Sequence, residues 1–299
     1  MGNEATAAAE VLSEAPPRIG EWERFRRVFF GRGLVKFGAA IIAIMVLMAI
    51  FAPLLAPYAP NAISLYDQLQ GPSMEHWLGT DALGRDTLSR LIYGAQTSLV
   101  VGLVSVFFAS LVGIALGTLA AYYGGWVSAV IMRFIDALMA FPMVLLALVI
   151  SALLGGGMRN VIIALSVSLM PQYARLMNGQ VLAIKENDYI SAVKSIGAKD
   201  MRILVKHIFS NAFPPLVVQM TLRLGRTIMS EATLSFLGVG IMQPTASWGS
   251  MISSGRNYLE QLPILSLAPG IAIMLVVFAF NMVGDGLRDA LDPRLRGRL

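Results

Sequence analysis

The chain alternates long apolar runs with short polar breaks, and the runs are too long for the core of a soluble domain. Residues 37–66 and 91–132 contain no charge at all. About 20 consecutive apolar residues suffice to cross a bilayer as a helix. The pattern predicts a first span over 37–55, ending near Pro53 and Pro57, and a second over 97–122, closed by Gly124-Gly125. A third is expected over 134–154, ending at Gly155-Gly156-Gly157, with Arg133 and Asp136 as an i,i+3 pair at its watery flank. Two further runs are interrupted: 161–183 holds Arg175, and 212–238 holds Arg223, Arg226 and Glu231. The last run, 262–283, is clean.

Charge placement decides whether the interrupted runs cross. Three basic blocks stand out: residues 18–36, residues 185–206, and a tail with Arg288, Arg294, Arg296 and Arg298. The segments between spans on the other side carry only Arg85, Arg90, Arg159 and Arg256. Cytoplasmic loops collect Lys and Arg, so all three blocks are expected inside. Four spans before the middle block and two after it satisfy that parity. The expectation is an all-α membrane protein with six transmembrane helices and both termini cytoplasmic. Its polar loop, about 185–211, joins spans 4 and 5. The division is a tail and basic segment, 1–36, followed by a transmembrane domain, 37–299.

Composition agrees: 56% of the 299 residues are hydrophobic and 14% charged, against about 25% charged in soluble domains. With no cysteine, neither a disulfide framework nor a thiolate metal site can form. The net charge of +5 belongs to short blocks beside apolar runs and does not argue for nucleic acid. Residues 1–17 are Ala/Glu-rich with Pro16-Pro17, do not resemble a signal peptide, and are expected to be disordered. Between Arg18 and Lys36, six cations interleave with Trp22, Phe25, Phe29 and Phe30. This predicts an amphipathic helix on the membrane surface or a simple basic flank.

Little in the chain suits catalysis. The histidines are His76 and His207, no HExxH occurs, and no Gly-Lys dipeptide exists, so no P-loop can form. Asp136 and Asp285 lie at span ends, where capping or ion pairing explains them better than an intramembrane aspartyl pair. His76, Asp81 and Asp86 match no metal-ligand spacing. Gly79 and Gly84 fit tight turns in a capped outer segment, with Thr80-Asp81 as a helix start. No metal site is expected.

Two patterns do point to function. At about 100° per residue, Gln219, Arg223, Arg226, Thr227 and Ser230 share one helix face, with Glu231 at its edge. Charges facing lipid are costly, so the face either lines a transport path or forms an internal ion pair. Gly113 and Gly117 form a small-xxx-small pair for close helix approach. The second pattern is the loop itself. Asn187-Asp188 can cap a helix over about 189–196, Gly197 can end it in the left-handed region, and Lys199-Asp200 can begin a helix running into the fifth span past Pro214-Pro215. Ile190, Val193 and Ile196 would form an apolar docking knob; the plainer reading is a linker.

YISAVKSIGAKDMRILVKHIFSNAFPP (189–215) resembles the cytoplasmic E-A-A-x-x-x-G loop of binding-protein-dependent ABC transporter permeases. HWLGTDALGRDTLSRLIYGAQTSL, EATLSFLGVGIMQPTASWGSMI and FNMVGDGLRDALDPRLRG are similar to segments of the second permease subunit of the dipeptide/oligopeptide/nickel group. Ala192 and Gly197 fit the loop motif, whereas Ser191 replaces its glutamate, Val193 its second alanine, and Ser210 a common proline. The resemblance implies a heterodimeric pore with a homologous second permease subunit, two cytoplasmic ATPase subunits, an external solute-binding protein and surrounding lipid. It implies import of di- or oligopeptides, glutathione-like peptides or nickel chelates. ATP and Mg would be used by the partners, with no cofactor and no catalysis in this chain. ATPase docking would fall to Tyr189, Ala192, Lys194, Ile196, Gly197, Ala198, Lys199, Asp200 and Arg202. The resemblance also implies a bacterial or archaeal plasma membrane. A stand-alone secondary transporter or channel is the other class.

Overall fold

A computed structural model describes residues 20–291; the expected disorder of 1–17, and Arg18, Arg294, Arg296 and Arg298, lie outside the described residues. The described residues form helices and no strand. Those of eight residues or more are, in chain order, α1 (Glu21–Gly31), α2 (Gly33–Ile50), α3 (Thr87–Tyr123), α4 (Gly125–Met139), α5 (Met143–Leu154), α6 (Met158–Lys185), α7 (Asp188–Ser195), α8 (Ser210–Phe236), α9 (Trp248–Gly255) and α10 (Ile264–Leu291). Between α7 and α8 come a single turn, Asp200–Arg202, and a π-helical stretch, Ile203–Phe209.

Three helices, α2, α3 and α10, are singly long and apolar enough to cross a membrane. The expected third span is different: α4 and α5 meet at 90°, and only together do they make a fourth candidate. Pro142 is the cause. It lacks an N–H and disfavours helical geometry at Phe141, so the chain turns there. The 28 residues of α6 and 27 of α8 each rise about 40 Å, enough length to cross. Their charges lower their mean apolarity.

The 37 residues of α3 rise about 55 Å, more than the roughly 30 Å hydrocarbon layer. The helix starts ten residues before its expected span. Its cap is Asp86, whose carboxylate accepts from the Ser89 N–H at 2.7 Å, and not Thr80-Asp81. Asp81 is occupied closing a turn, accepting from the backbone N–H groups of Leu83 and Arg85 at 2.9 and 3.0 Å. Gly79 and Gly84 take φ of 72° and 71° in that turn, as expected.

The tightest pairing is α3 on α6. A Cβ at Gly113 would lie 2.6 Å from the Met170 carbonyl oxygen, and one at Gly117 would lie 2.2 Å from that of Ala174. The small-xxx-small pair therefore sets the approach of these two helices. The other main packing is α10 against α8 and α2. One apolar cluster gathers Ala95 and Leu99 of α3, Ile228 of α8, Trp248 of α9, and Val276 and Phe280 of α10. A second, at the opposite end of α3, joins Tyr122, Val181, Ile190, Ile203, Ile208 and Leu216. Large apolar side chains such as Leu103, Phe107, Leu111, Leu145 and Phe278 stay exposed, which suits lipid or a partner helix. Helix α1 rests on α10, with Phe25 and Phe29 stacked and packed beside Val35 and Ala290.

Arg133 does not pair with Asp136. The Asp136 carboxylate instead accepts from Arg175 Nη2 of α6 at 2.5 Å. The charge that interrupted the fourth run thus has its partner on α4, the first arm of the bent pair.

Candidate functional site

The polar loop folds as an elbow. Asn187 does not cap α7 with its side chain. Its Nδ2 donates backward to the carbonyls of Ala183 and Ile184, at 3.3 and 3.0 Å, closing the end of α6. Gly197 ends α7 with φ of 80°, in the left-handed region that glycine enters without strain. The Gly197 and Ala198 N–H groups return to the carbonyls of Lys194 and Val193. From Asp200 onward the chain runs through the π stretch into α8 without a break.

Packing divides this segment into an inner and an outer face. The expected knob of Ile190, Val193 and Ile196 does not form as one surface. Ile190 is buried and Val193 packs beside it, both against the protein's own core. Ile196 alone of the three points out, 83% exposed, joined by Met201 at 70%. An eight-residue helix needs its apolar stripe to hold itself to the body, so what is left for a partner is the turn and the outer, mostly polar side of α7. Tyr189, Ala192, Gly197, Lys199 and Arg202 are also exposed, and Ala198 is half-buried. Tyr189 is tied down, its hydroxyl accepting from Asn211 Nδ2 at 3.2 Å. Lys194 and Asp200 are exposed as well but reach Tyr122: the Lys194 ammonium sits 5.8 Å from the centre of its ring, and Asp200 accepts from its hydroxyl at 2.5 Å.

The polar face of α8 splits in two. Gln219 lies beside half-buried Arg223; its amide oxygen, oriented by the hydrogen-bond network, accepts from Arg223 Nε at 2.9 Å. Arg226 is exposed. Among the described residues, neither arginine belongs to an ion pair. Thr227 and Ser230 are buried and bond back to the carbonyls of Arg223 and Arg226 at 2.7 and 2.9 Å. Glu231 is fully buried. It accepts from Ser98 of α3 at 3.1 Å and from Ser235 at 2.8 Å. Ser235 in turn accepts from the Ile241 N–H. Glu231 is therefore a polar node between α3, α8 and the loop to α9, while Gln219, Arg223 and Arg226 are the part of the face left open. Beside Gln219 a cleft opens, lined also by Gln180, Asn211 and Arg288.

The segment before α3 is held by its own polar contacts. His76 Nδ1 lies 2.9 Å from Asp86 Oδ1, and Arg90 donates to the Pro60 carbonyl at 2.9 Å. Among the described residues no cluster could hold a metal ion. The short helix α9 starts with a capping box of Ser247 and Ser250, and Trp248 Nε1 donates to the Leu91 carbonyl at 3.0 Å. Tyr122, Trp248 and the Arg175–Asp136 pair had no signal in residue spacing, because each contact joins distant parts of the chain.

Residues 113–297 match the family described as "Binding-protein-dependent transport system inner membrane component". Residues 20–72 match the "N-terminal TM domain of oligopeptide transport permease C". The chain is 45% identical over 277 residues to the glutathione transport system permease protein GsiD of Shigella sonnei, covering 92% of this chain and 90% of that one. It is 42% identical over 278 residues to the dipeptide transport system permease protein DppC of Alkalihalophilus pseudofirmus, covering 93% and 91%. In fold it is similar to a chain of the inward-facing MetNI methionine ABC transporter, with TM-score 0.56 and 20% identity, covering 68% of this chain and 96% of that one. With the family model covering more than half of the chain, and with two relatives aligned over nearly their whole length, the protein belongs to the family of binding-protein-dependent transport system inner membrane components.

Proposed function

We propose that this chain forms one half of the import path for small peptides, working with a homologous second permease subunit. It crosses the membrane six times, with α4–α5 as one bent crossing and α6 and α8 as the two charged ones. Both termini and the 185–211 loop face the cytoplasm. Two ATPase subunits hold the exposed turn around Ile196, Gly197, Lys199, Met201 and Arg202. They supply the ATP and Mg chemistry that this chain has no residues for. A solute-binding protein delivers substrate from outside, and the setting is a bacterial inner membrane. Gln219, Arg223 and Arg226 face the path, where unpaired guanidinium groups suit a peptide carboxylate. Dipeptides and glutathione are favoured as cargo because the relatives named for them align over nearly the whole chain. Nickel chelates are the second reading.

The observation that carries the docking assignment is the pair of exposed apolar side chains, Ile196 and Met201, flanking a left-handed Gly197. A loop that merely joined two spans would gain nothing from exposing them. The test replaces Gly197 with a bulky residue: Gly197→Leu would strain the turn and block its approach to a partner. ATP-driven uptake of labelled dialanine and glutathione into proteoliposomes is then lost, while the protein stays in the membrane. Normal uptake by that variant removes the docking assignment. Uptake by the chain alone, without ATP, favours a secondary transporter.

A further inference from the structure

One buried side chain gathers the whole docking segment. Tyr122 lies in the last turn of α3, 7% exposed. Its hydroxyl donates to Asp200 in the turn before the π stretch. Its backbone carbonyl accepts from Lys185 Nζ, at the end of α6, at 2.8 Å. Its ring lies under two ammonium groups, Lys185 at 5.6 Å and Lys194 of α7 at 5.8 Å from the centroid. The desolvated ring attracts both cations, and Asp200 offsets their charge beside the same hydroxyl. Tyr122 also belongs to the buried apolar cluster that holds Val181, Ile190 and Ile203.

The covalent chain joins the docking segment to α6 and α8, never to α3. Apolar side chains of the segment also border α3, where Met201, Leu204 and Val205 share a cleft with Ala115 and Leu119, but the polar contacts to α3 converge on Tyr122. That helix continues from Tyr122 to Ser98, 24 residues or about 36 Å away, where Ser98 holds the buried Glu231. The helix is continuous between these two points and is held by polar contacts near both, so it links them mechanically. We infer that Tyr122 is the polar joint that makes the docking segment and α3 move as one body, so that a displacement at the ATPase contact reaches the Ser98 side of the Glu231 node along α3 together with the Glu231 side along α8. The inference rests on the reading of 185–211 as the ATPase contact. Tyr122 touches neither nucleotide nor cargo and acts as a positioning residue.

The test uses the permease complex with its ATPase subunits in lipid nanodiscs, with spin labels on Val112 of α3 and Ser195 of α7, both exposed. With Tyr122 intact, the label pair gives one narrow distance distribution, the same without nucleotide and with ATP and vanadate. Tyr122→Phe keeps the ring and loses the hydroxyl; its pair shifts or broadens by several ångströms on adding ATP and vanadate. Asp200→Asn reproduces that shift, and the double variant goes no further. A Tyr122→Phe pair as rigid as the parent, a parent pair that itself separates with nucleotide, or a double variant worse than either single overturns the joint. If the unmodified chain fails to co-purify with ATPase subunits, the docking reading falls. The joint is then judged in the isolated chain, where Tyr122→Phe must still broaden the distribution.

Discussion

Arg175 of α6 and Asp136 of α4 meet at 2.5 Å although thirty-nine residues separate them. Each is about half exposed, so the pair sits at an edge of the bundle and not in its interior. It ties the first arm of the bent α4–α5 unit to the helix that follows it. It also gives the arginine in the middle of an otherwise apolar run a charge partner.

Asp136→Asn should therefore weaken the protein more than removing both charges together. The single change leaves a guanidinium unpaired beside an apolar surface, whereas Asp136→Asn with Arg175→Gln leaves none. At this exposure the coupling is about 1 kcal/mol or less. Thermal unfolding of the purified variants in nanodiscs measures it, and additive effects of the two single changes would show that the contact contributes nothing.

Glu231 should tolerate Glu231→Gln and not Glu231→Leu. Ser98 and Ser235 donate to different carboxylate oxygens; the amide keeps the size and one of these acceptors, and its NH2 in place of the other can donate to the remaining hydroxyl oxygen. Leucine strands both hydroxyls in a dry site, at roughly 1–3 kcal/mol for each unsatisfied group. Denaturation midpoints of the two variants, compared with the parent, decide this; equal midpoints for both would contradict the node.

Gly117→Ala should destabilise by about 1–3 kcal/mol, since the new methyl would sit 2.2 Å from the Ala174 carbonyl oxygen and force α3 from α6. Gly179→Ala is the matched control. It lies in α6 with no atom within 4 Å of its Cβ and no positive φ, and alanine there should stabilise by roughly 0.5–1 kcal/mol. Similar effects of both, read from thermal unfolding, would mean that the α3–α6 approach is not set by glycine.

Ile196→Asp should leave folding untouched and impair assembly. The side chain is 83% exposed and makes no core contact, so unfolding midpoints should agree within about 0.5 kcal/mol. Recovery of ATPase subunits in pull-downs from nanodiscs should fall at least tenfold. Ile190→Asp, by contrast, should unfold the loop, because Ile190 is buried. Undiminished recovery with Ile196→Asp would move the contact elsewhere.

Much of this was legible along the chain. The apolar runs named the long helices, because transfer from water depends on composition summed over a window. Gly197 announced its own turn, since only glycine enters that region freely. The Gly113/Gly117 spacing announced a close approach. The face of α8 was only half legible: helical periodicity placed Gln219 through Glu231 on one stripe, yet could not tell that Glu231 would be sealed by Ser98 while Arg226 stayed open.

The amino-acid sequence by itself determined the helical membrane class, the elbow at Gly197 and the family motifs, all of which depend on residues within a few turns of one another. Tertiary structure alone decided which side of α7 is spent on the protein's own core, that Pro142 turns α4–α5 through 90°, and that Tyr122 gathers Lys185, Lys194 and Asp200. The physical reason is range. Hydropathy, caps and left-handed turns act locally, whereas burial and pairing depend on which distant helix arrives at the other face.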